Sequence, residues 1–158
     1  MNIQMTIAFS MLLTVMTMVA EAGEAKKFKG HGNDFTKVME TKLSNGSTAL
    51  LVEQRSMGWI NEGAFAPGHV SGFCRGIGTV DASGTYKGDV YYCTYQINEK
   101  DGYTIRVFED DAKGGRSEII GGSGALTNAT GKCHHTYTWG APQGDSSNWD
   151  YECEIMTP

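Results

Sequence analysis

Apolar and polar residues alternate with a period of two along much of the chain after residue 22. In residues 132–139, Cys133, Tyr137 and Trp139 share one face with His135, while lysine, histidine and threonine occupy the other. Successive residues of a strand point to opposite faces, so this pattern gives one aromatic and one polar face. No segment after Gly23 keeps apolar residues at helical spacing for a dozen positions. The pattern therefore predicts an all-β chain.

A first hairpin is predicted over residues 35–55, with its turn at residues 44–47. Asn45-Gly46 at that turn is a strong hairpin signal because both residue types tolerate positive φ. Folding the chain about this dipeptide sets Met39 opposite Val52. Residues 57–65 then form a further strand or an approach loop.

The four cysteines predict the register of two later hairpins, because directly opposed residues of an antiparallel ribbon have a constant index sum. Placing Cys74 opposite Cys93 sets Gly72 against Tyr95, so that a glycine leaves room for an aromatic ring across the ladder. The same register sets Gly76 against Tyr91 in the same way. This repeated match favours a disulfide between Cys74 and Cys93.

The last hairpin surrounds a turn that includes residues 142–144. Setting Cys133 opposite Cys153 brings Tyr137 against Trp149, and His135 against Tyr151. This predicts the second disulfide, but the connection is long and crossed pairing of the four cysteines stays open.

The first 22 residues differ from the rest of the chain. Residues 3–19 are apolar without a charged side chain, and Ala20-Glu21-Ala22 has the small-x-small pattern of a signal peptidase site. We expect residues 1–22 to be a signal peptide and residues 23–158 to be one domain, secreted or periplasmic. An uncleaved membrane anchor is the alternative, although the apolar run is shorter than the ~20 residues of a spanning helix.

Composition narrows the classes of partner. The chain has 13 basic and 18 acidic residues and a net charge of −5. Nucleic-acid binders and proteins of anionic membranes carry a basic patch, so neither partner is expected, and no membrane association is expected after signal cleavage. Twenty-one glycines against three prolines suit strands joined by turns. Four cysteines in an exported chain are expected to form disulfides rather than an active site.

The segment from Ile120 to Gly131, Ile-Gly-Gly-Ser-Gly-Ala-Leu-Thr-Asn-Ala-Thr-Gly, resembles the glycine-rich segment of the allene oxide cyclase and dirigent barrel superfamily. There a strand enters a Gly-Gly-Thr-Gly turn and leaves through a second turn of small residues. Ala125-Leu126 stands where a basic-aromatic pair is common, and Thr127-Asn128 where Ala-Gly is common. The resemblance implies an antiparallel eight-stranded barrel with hairpin connections and a central cavity, here stapled by disulfides.

Residues 30–35, Gly-His-Gly-Asn-Asp-Phe, resemble the opening motif of diaminopimelate epimerase. That enzyme is about twice as long and needs two opposed catalytic cysteines in two similar domains. The match ends after six residues, and we set it aside.

Candidate site residues follow from the faces of the predicted hairpins. Cavity-lining candidates are expected on the aromatic face, and His135 is the polar group among them. As a catalytic group, His135 or Glu53 would position or protonate a reactive intermediate; a packed structural histidine is the alternative for His135. No metal site and no cofactor are predicted, because the spacings of metal and phosphate motifs are missing from the sequence. The predicted ligand-binding residues are Tyr91, Tyr95, His135, Tyr137, Trp139, Trp149 and Tyr151.

Three hypotheses of function follow. The first is an exported barrel that binds a small apolar or aromatic ligand, or acts as a non-catalytic accessory protein. The second is an isomerase-like, cyclase-like or dirigent-like barrel that confines a reactive intermediate. The third is a structural surface or interaction module with a filled interior.

Overall fold

The computed structural model describes residues 23, 25–111, 114–140 and 145–158. The predicted signal peptide and the predicted turn at residues 142–144 lie outside the described residues. Eight strands are described: β1 (Lys26–Lys42), β2 (Thr48–Gly63), β3 (Gly68–Val80), β4 (Tyr86–Gln96), β5 (Gly102–Asp111), β6 (Gly114–Ser123), β7 (Thr130–Gly140) and β8 (Ser146–Met156).

The strands form a closed antiparallel barrel in which each strand pairs with the next one in the chain. The barrel closes where β1 pairs with β8, from Lys26 opposite Ile155 to Phe35 opposite Ser146. Closure leaves no long unpaired edge around this part of the sheet. The predicted eight-stranded all-β barrel is therefore confirmed, and residues 57–63 continue β2 rather than forming a separate element.

Alternation of side chains gives the barrel its core. Even-numbered residues of β1, β2 and β3 point inward, as do odd-numbered residues of β4, β7 and β8. At the end of the barrel where β1 begins, the Phe28 ring contacts the rings of Phe65, Tyr103 and Tyr151 edge to face. This aromatic cluster fills that end of the interior.

Both predicted disulfides are present. Cys74 is bonded to Cys93 with Cα atoms 4.0 Å apart, and Cys133 to Cys153 with Cα atoms 4.1 Å apart. Each pair lies directly opposite on neighbouring strands and faces inward. The predicted pairs around them, Gly72 with Tyr95 among them, are also confirmed.

The predicted register of the first hairpin is wrong by one residue. Met39 lies opposite Leu51 rather than Val52. The reason is the turn: Gly46 alone has a positive φ, 83°, and its N–H donates to the Leu43 carbonyl at 3.0 Å. A single left-handed glycine after an ordinary turn gives a three-residue loop instead of the two-residue Asn-Gly turn.

The glycine-rich connection between β6 and β7 contributes one buried side chain to the core. Residues Gly124–Leu126 form a 3₁₀ turn that begins with Gly124 at φ 61°. The Asp101 carboxylate accepts a hydrogen bond from the Ala125 N–H at 2.8 Å and fixes this turn. Leu126 is thereby directed into the core.

Within the described residues, no helix is both long enough and apolar enough to cross a membrane.

Candidate functional site

The inward aromatic side chains meet in a cavity at the end of the barrel away from Phe28. His135 and Tyr137 on β7 are half-buried, so this end of the interior reaches the surface. Their rings contact each other edge to face with centroids 5.3 Å apart. Deeper in the barrel, the Tyr95 ring stacks on Tyr103 and lies 6.5 Å from the centroid of Trp149.

The cavity brings together six of the seven predicted ligand-binding residues. They are Tyr91, Tyr95, His135, Tyr137, Trp149 and Tyr151. The seventh, Trp139, does not line the cavity and is 53% exposed. An irregularity of the β7–β8 ladder after Tyr137 sets Trp139 opposite the outward-facing Asn148.

Glu53, the second predicted catalytic candidate, lies on the outer face of β2. Its carboxylate forms an ion pair with Arg75 of β3 at 3.0 Å. His135 lines the cavity and Glu53 does not. The structure thus does not bring these two side chains into one site.

Asp34 is one of the cavity residues that the sequence did not predict; Gln54, Tyr103 and Ser117 are others. Asp34 belongs to one transverse row of inward residues that continues through Ser56, Gly72 and Tyr95 to Tyr103. Because Gly72 has no side chain, the Tyr95 ring lies over its backbone, and a Cβ there would be 2.5 Å from Tyr95 Cε1. The row therefore directs Tyr95 across the barrel toward Asp34.

The Asp34 carboxyl is almost completely removed from solvent, with 5% exposure. Gln54 Nε2 donates a hydrogen bond to its Oδ2 at 2.9 Å. Burial raises the pKa of Asp34 to about 6, while the Ser56 hydroxyl and the Trp149 indole partly offset this by stabilising the charged form. A carboxyl with such a pKa can accept or donate a proton near neutral pH.

The tyrosines around Asp34 stay neutral. Burial raises the pKa of Tyr95 first of all, and the nearby Asp34 charge raises it further. Burial likewise raises the pKa of Tyr103 and Tyr151. Their hydroxyl groups therefore act as hydrogen-bond donors and acceptors rather than as bases. The Tyr151 hydroxyl donates to the Trp59 carbonyl at 3.4 Å.

Three buried polar atoms of cavity residues have no hydrogen-bond partner among the described residues. They are Asp34 Oδ1, Ser117 Oγ and Trp149 Nε1. Although Trp149 Nε1 lies near enough to favour the Asp34 charge, the two groups do not reach hydrogen-bond geometry. Unpaired buried polar atoms cost about 1–3 kcal/mol each, which a polar group of a bound molecule would offset.

The free space between these side chains is small, ≈ 40 Å³. About three water molecules need that much room, whereas pockets for drug-sized ligands measure about 300–1,000 Å³. An aromatic molecule therefore enters only if lining rings move. Tyr137 and His135 are the half-buried lining rings at the surface end of the cavity.

Within the residues that the structure describes, no group of three or more histidine, cysteine or acidic side chains converges as a metal site does. All four cysteines are held in disulfides.

The closed eight-stranded barrel of this chain is similar in fold to dirigent proteins. Two solved structures are similar to it over most of the chain, and both are pterocarpan synthase dirigent proteins. GePTS1 superimposes with a TM-score of 0.59 at 12% identity, covering 87% of each chain. PsPTS1 superimposes with a TM-score of 0.53 at 14% identity, covering 85% of this chain and 96% of its own. No family model and no curated protein sequence matches the chain.

Proposed function

We propose that this protein is an exported dirigent-like barrel that holds a reactive form of a small aromatic molecule while Asp34 exchanges a proton with it. The observation that carries the proposal is a buried carboxyl of pKa about 6 among aromatic rings. Perturbed carboxyls in enclosed pockets are typical of acid and base groups.

The lining fits a planar phenol or quinone-like molecule. Tyr95, Tyr103 and Trp149 offer ring faces and edges for stacking. The unpaired Ser117 hydroxyl and Trp149 N–H offer a polar group to a ligand oxygen. Exclusion of water by the surrounding rings protects a reactive intermediate from hydrolysis.

Asp34 has two roles in this proposal, depending on pH. Above its pKa the carboxylate accepts the proton of a phenolic hydroxyl as the electron pair stays on the ligand oxygen. Below it the carboxylic acid returns a proton to an oxygen or carbon of the intermediate. The solved neighbours are named for the synthesis of pterocarpans, and a related cyclisation here would need such a proton transfer.

Export is part of the proposal. The segment 1–22 has the pattern of a signal peptide, and the two disulfides suit an oxidising compartment. Mass spectrometry of the protein from its own source would test this, since a mature N-terminus at Gly23 is expected.

The experiment on function begins with native mass spectrometry of the same material, to detect a retained aromatic molecule. Planar phenols, a pterocarpan among them, are then screened for binding and turnover. Asp34→Asn is expected to keep binding within about threefold and to lower turnover by about a hundredfold or more. Glu53→Gln, on the outer face, is the control and should change neither. Equal turnover of Asp34→Asn and the unaltered chain would rule out the proton-transfer role.

The small interior favours a second candidate function, a filled barrel that acts as an accessory protein without a ligand. It predicts that no compound shifts the NMR signals of Tyr95, Tyr103 or Trp149 side chains. Saturable shifts of those signals would exclude it.

A further inference from the structure

A groove in the wall of the barrel has the composition of a second binding site, and it shares Trp149 with the lining of the interior cavity. It measures ≈ 810 Å³ and crosses the outer faces of β8, β1, β2 and β3. One transverse row runs along it, with Asp150 opposite His31, His31 opposite Trp59, and Trp59 opposite His69. We call it the Trp59 groove.

Trp59 is held in a defined orientation at the middle of this groove. Its ring contacts His69 edge to face, with centroids 4.4 Å apart and planes at 89°. The side chain remains partly exposed, although it is a large apolar residue on an outer face. An oriented indole beside polar groups is a platform for a ligand with one apolar and one polar side.

Four of the side chains around Trp59 are polar, planar and without a hydrogen-bond partner in the described part of the chain. Asn33, Asn61, Asn148 and Asp150 line the groove, and within the described part of the chain their side chains make no hydrogen bond or ion pair. Each amide or carboxylate offers two polar atoms in a fixed plane, a geometry that fits pairs of neighbouring hydroxyl groups. These groups are free to bind a ligand.

A second groove of the barrel differs from the Trp59 groove in charge. It is lined by lysines and glutamates that pair with each other, Lys29 with Glu62 at 2.6 Å and Lys132 with Glu154 at 3.9 Å. The Trp59 groove has no lysine or arginine and one carboxylate in its lining. Its charge therefore suits a neutral ligand rather than a phosphate or a nucleic acid.

We propose that the Trp59 groove binds a pyranose ring of a neutral saccharide. The C–H face of the sugar stacks on the Trp59 indole. The amides of Asn33, Asn61 and Asn148 and the Asp150 carboxylate bind the sugar hydroxyls. The proposal does not depend on the interior site, because none of the side chains that would bind the sugar lines that cavity, although Trp149 lines both.

Isothermal titration calorimetry with cellohexaose, mannohexaose and maltohexaose tests this proposal. At least one probe is expected to bind with saturation. Trp59→Ala should weaken that binding by about tenfold or more, and Asn33→Ala or Asn148→Ala by about threefold to tenfold. Tyr92→Ala is the matched control, since Tyr92 is an aromatic side chain of the outer face, 50% exposed on β4 and outside the groove.

Circular dichroism melting of each variant separates lost binding from lost folding. The variants of Asn148, which is exposed, and of Asn33, which is partly exposed, keep the test valid if Trp59→Ala is unstable. Three results would overturn the proposal. One is the absence of binding of any probe by the unaltered chain. Another is binding that Trp59→Ala and both asparagine variants leave unchanged. The third is self-association that Trp59→Ala disrupts and no sugar competes with, which would make the groove an interface between copies of the chain.

Discussion

Asp34 owes its chemistry to its position in the barrel rather than to a local motif. It follows two glycines and an asparagine in β1, and an inward side chain there enters an aromatic interior. Gln54 and Ser56 approach it from β2 because even-numbered residues of both strands face inward. A one-residue slip of that hairpin would place Gln54 on the opposite face.

That dependence explains why the sequence did not place this residue in the cavity. The Asn45-Gly46 dipeptide predicts a two-residue turn, and the register that follows from it separates Asp34 from Gln54. Turn type depends on which residue takes the left-handed conformation, and here Gly46 takes it alone. The aromatic candidates on β4, β7 and β8 were predictable because the cysteine pairs fix the registers there.

Stability should depend on pH through Asp34. Its pKa is about 6 when folded, against 3.8 for an unperturbed aspartate. The folded chain therefore binds the Asp34 proton more tightly than the unfolded chain does. The stability that this proton contributes is fully present below pH 4. This stability is lost as the pH rises through 6, by about 3 kcal/mol in total. Urea unfolding of the unaltered chain and Asp34→Asn from pH 4 to pH 8 measures the difference.

Asp34→Asn is expected to gain stability relative to the unaltered chain as the pH rises over that range, because it has no charge to bury. Asp145→Asn is the control, since Asp145 is exposed. A stability difference between Asp34→Asn and the unaltered chain that is the same at pH 4 and pH 8 would contradict the raised pKa.

Between β3 and β4, glycines lie directly opposite tyrosines, and these pairs let the two strands pack closely. At Gly76, opposite Tyr91, an added Cβ would lie 2.8 Å from Tyr91 Cα and closer still to its Cβ. Backbone atoms cannot give way as a flexible side chain can, so the ladder itself would have to shift. The sequence predicted this pair from the index sum of Cys74 and Cys93, and the close packing is the physical reason for it.

Gly76→Ala should destabilise the fold by about 2–3 kcal/mol. Gly121→Ala is the matched control, because no atom lies within 4 Å of the Cβ it would add. That control should be neutral or stabilise the fold by about 0.5 kcal/mol, through reduced freedom of the unfolded chain. Denaturant unfolding of both variants gives the two values, and equal losses would show that the β3–β4 contact is looser than described.

The whole barrel is organised by the pairing of its first and last strands. Residues 26–35 of β1 lie beside residues 146–155 of β8, and Gly23 lies against the carbonyl of Thr157. Most of the other neighbouring strands are joined by hairpin turns. At the β1–β8 junction the strands are hydrogen-bonded, but no loop of the chain connects them. A sequence pattern shows the hairpins, whereas closure depends on the twist and stagger of all eight strands together. The resemblance of residues 120–131 to known barrels was the feature that predicted closure.

A circular permutant tests this organisation directly. A short Gly-Ser linker joins Pro158 to Gly23, and new ends are opened between Asn45 and Gly46 in the exposed turn between β1 and β2. Ends and insertions are tolerated best at exposed turns. We expect the permutant to form both disulfides, with a free energy of unfolding within about 2 kcal/mol of the original chain, because only loop-closure entropy changes.

A second permutant, opened between Arg75 and Gly76 within β3, should not fold, since it interrupts a strand with two paired neighbours. Peptide mapping and denaturant unfolding distinguish the outcomes. If the first permutant fails to fold, or if the two behave alike, the β1–β8 junction does not close the barrel as described.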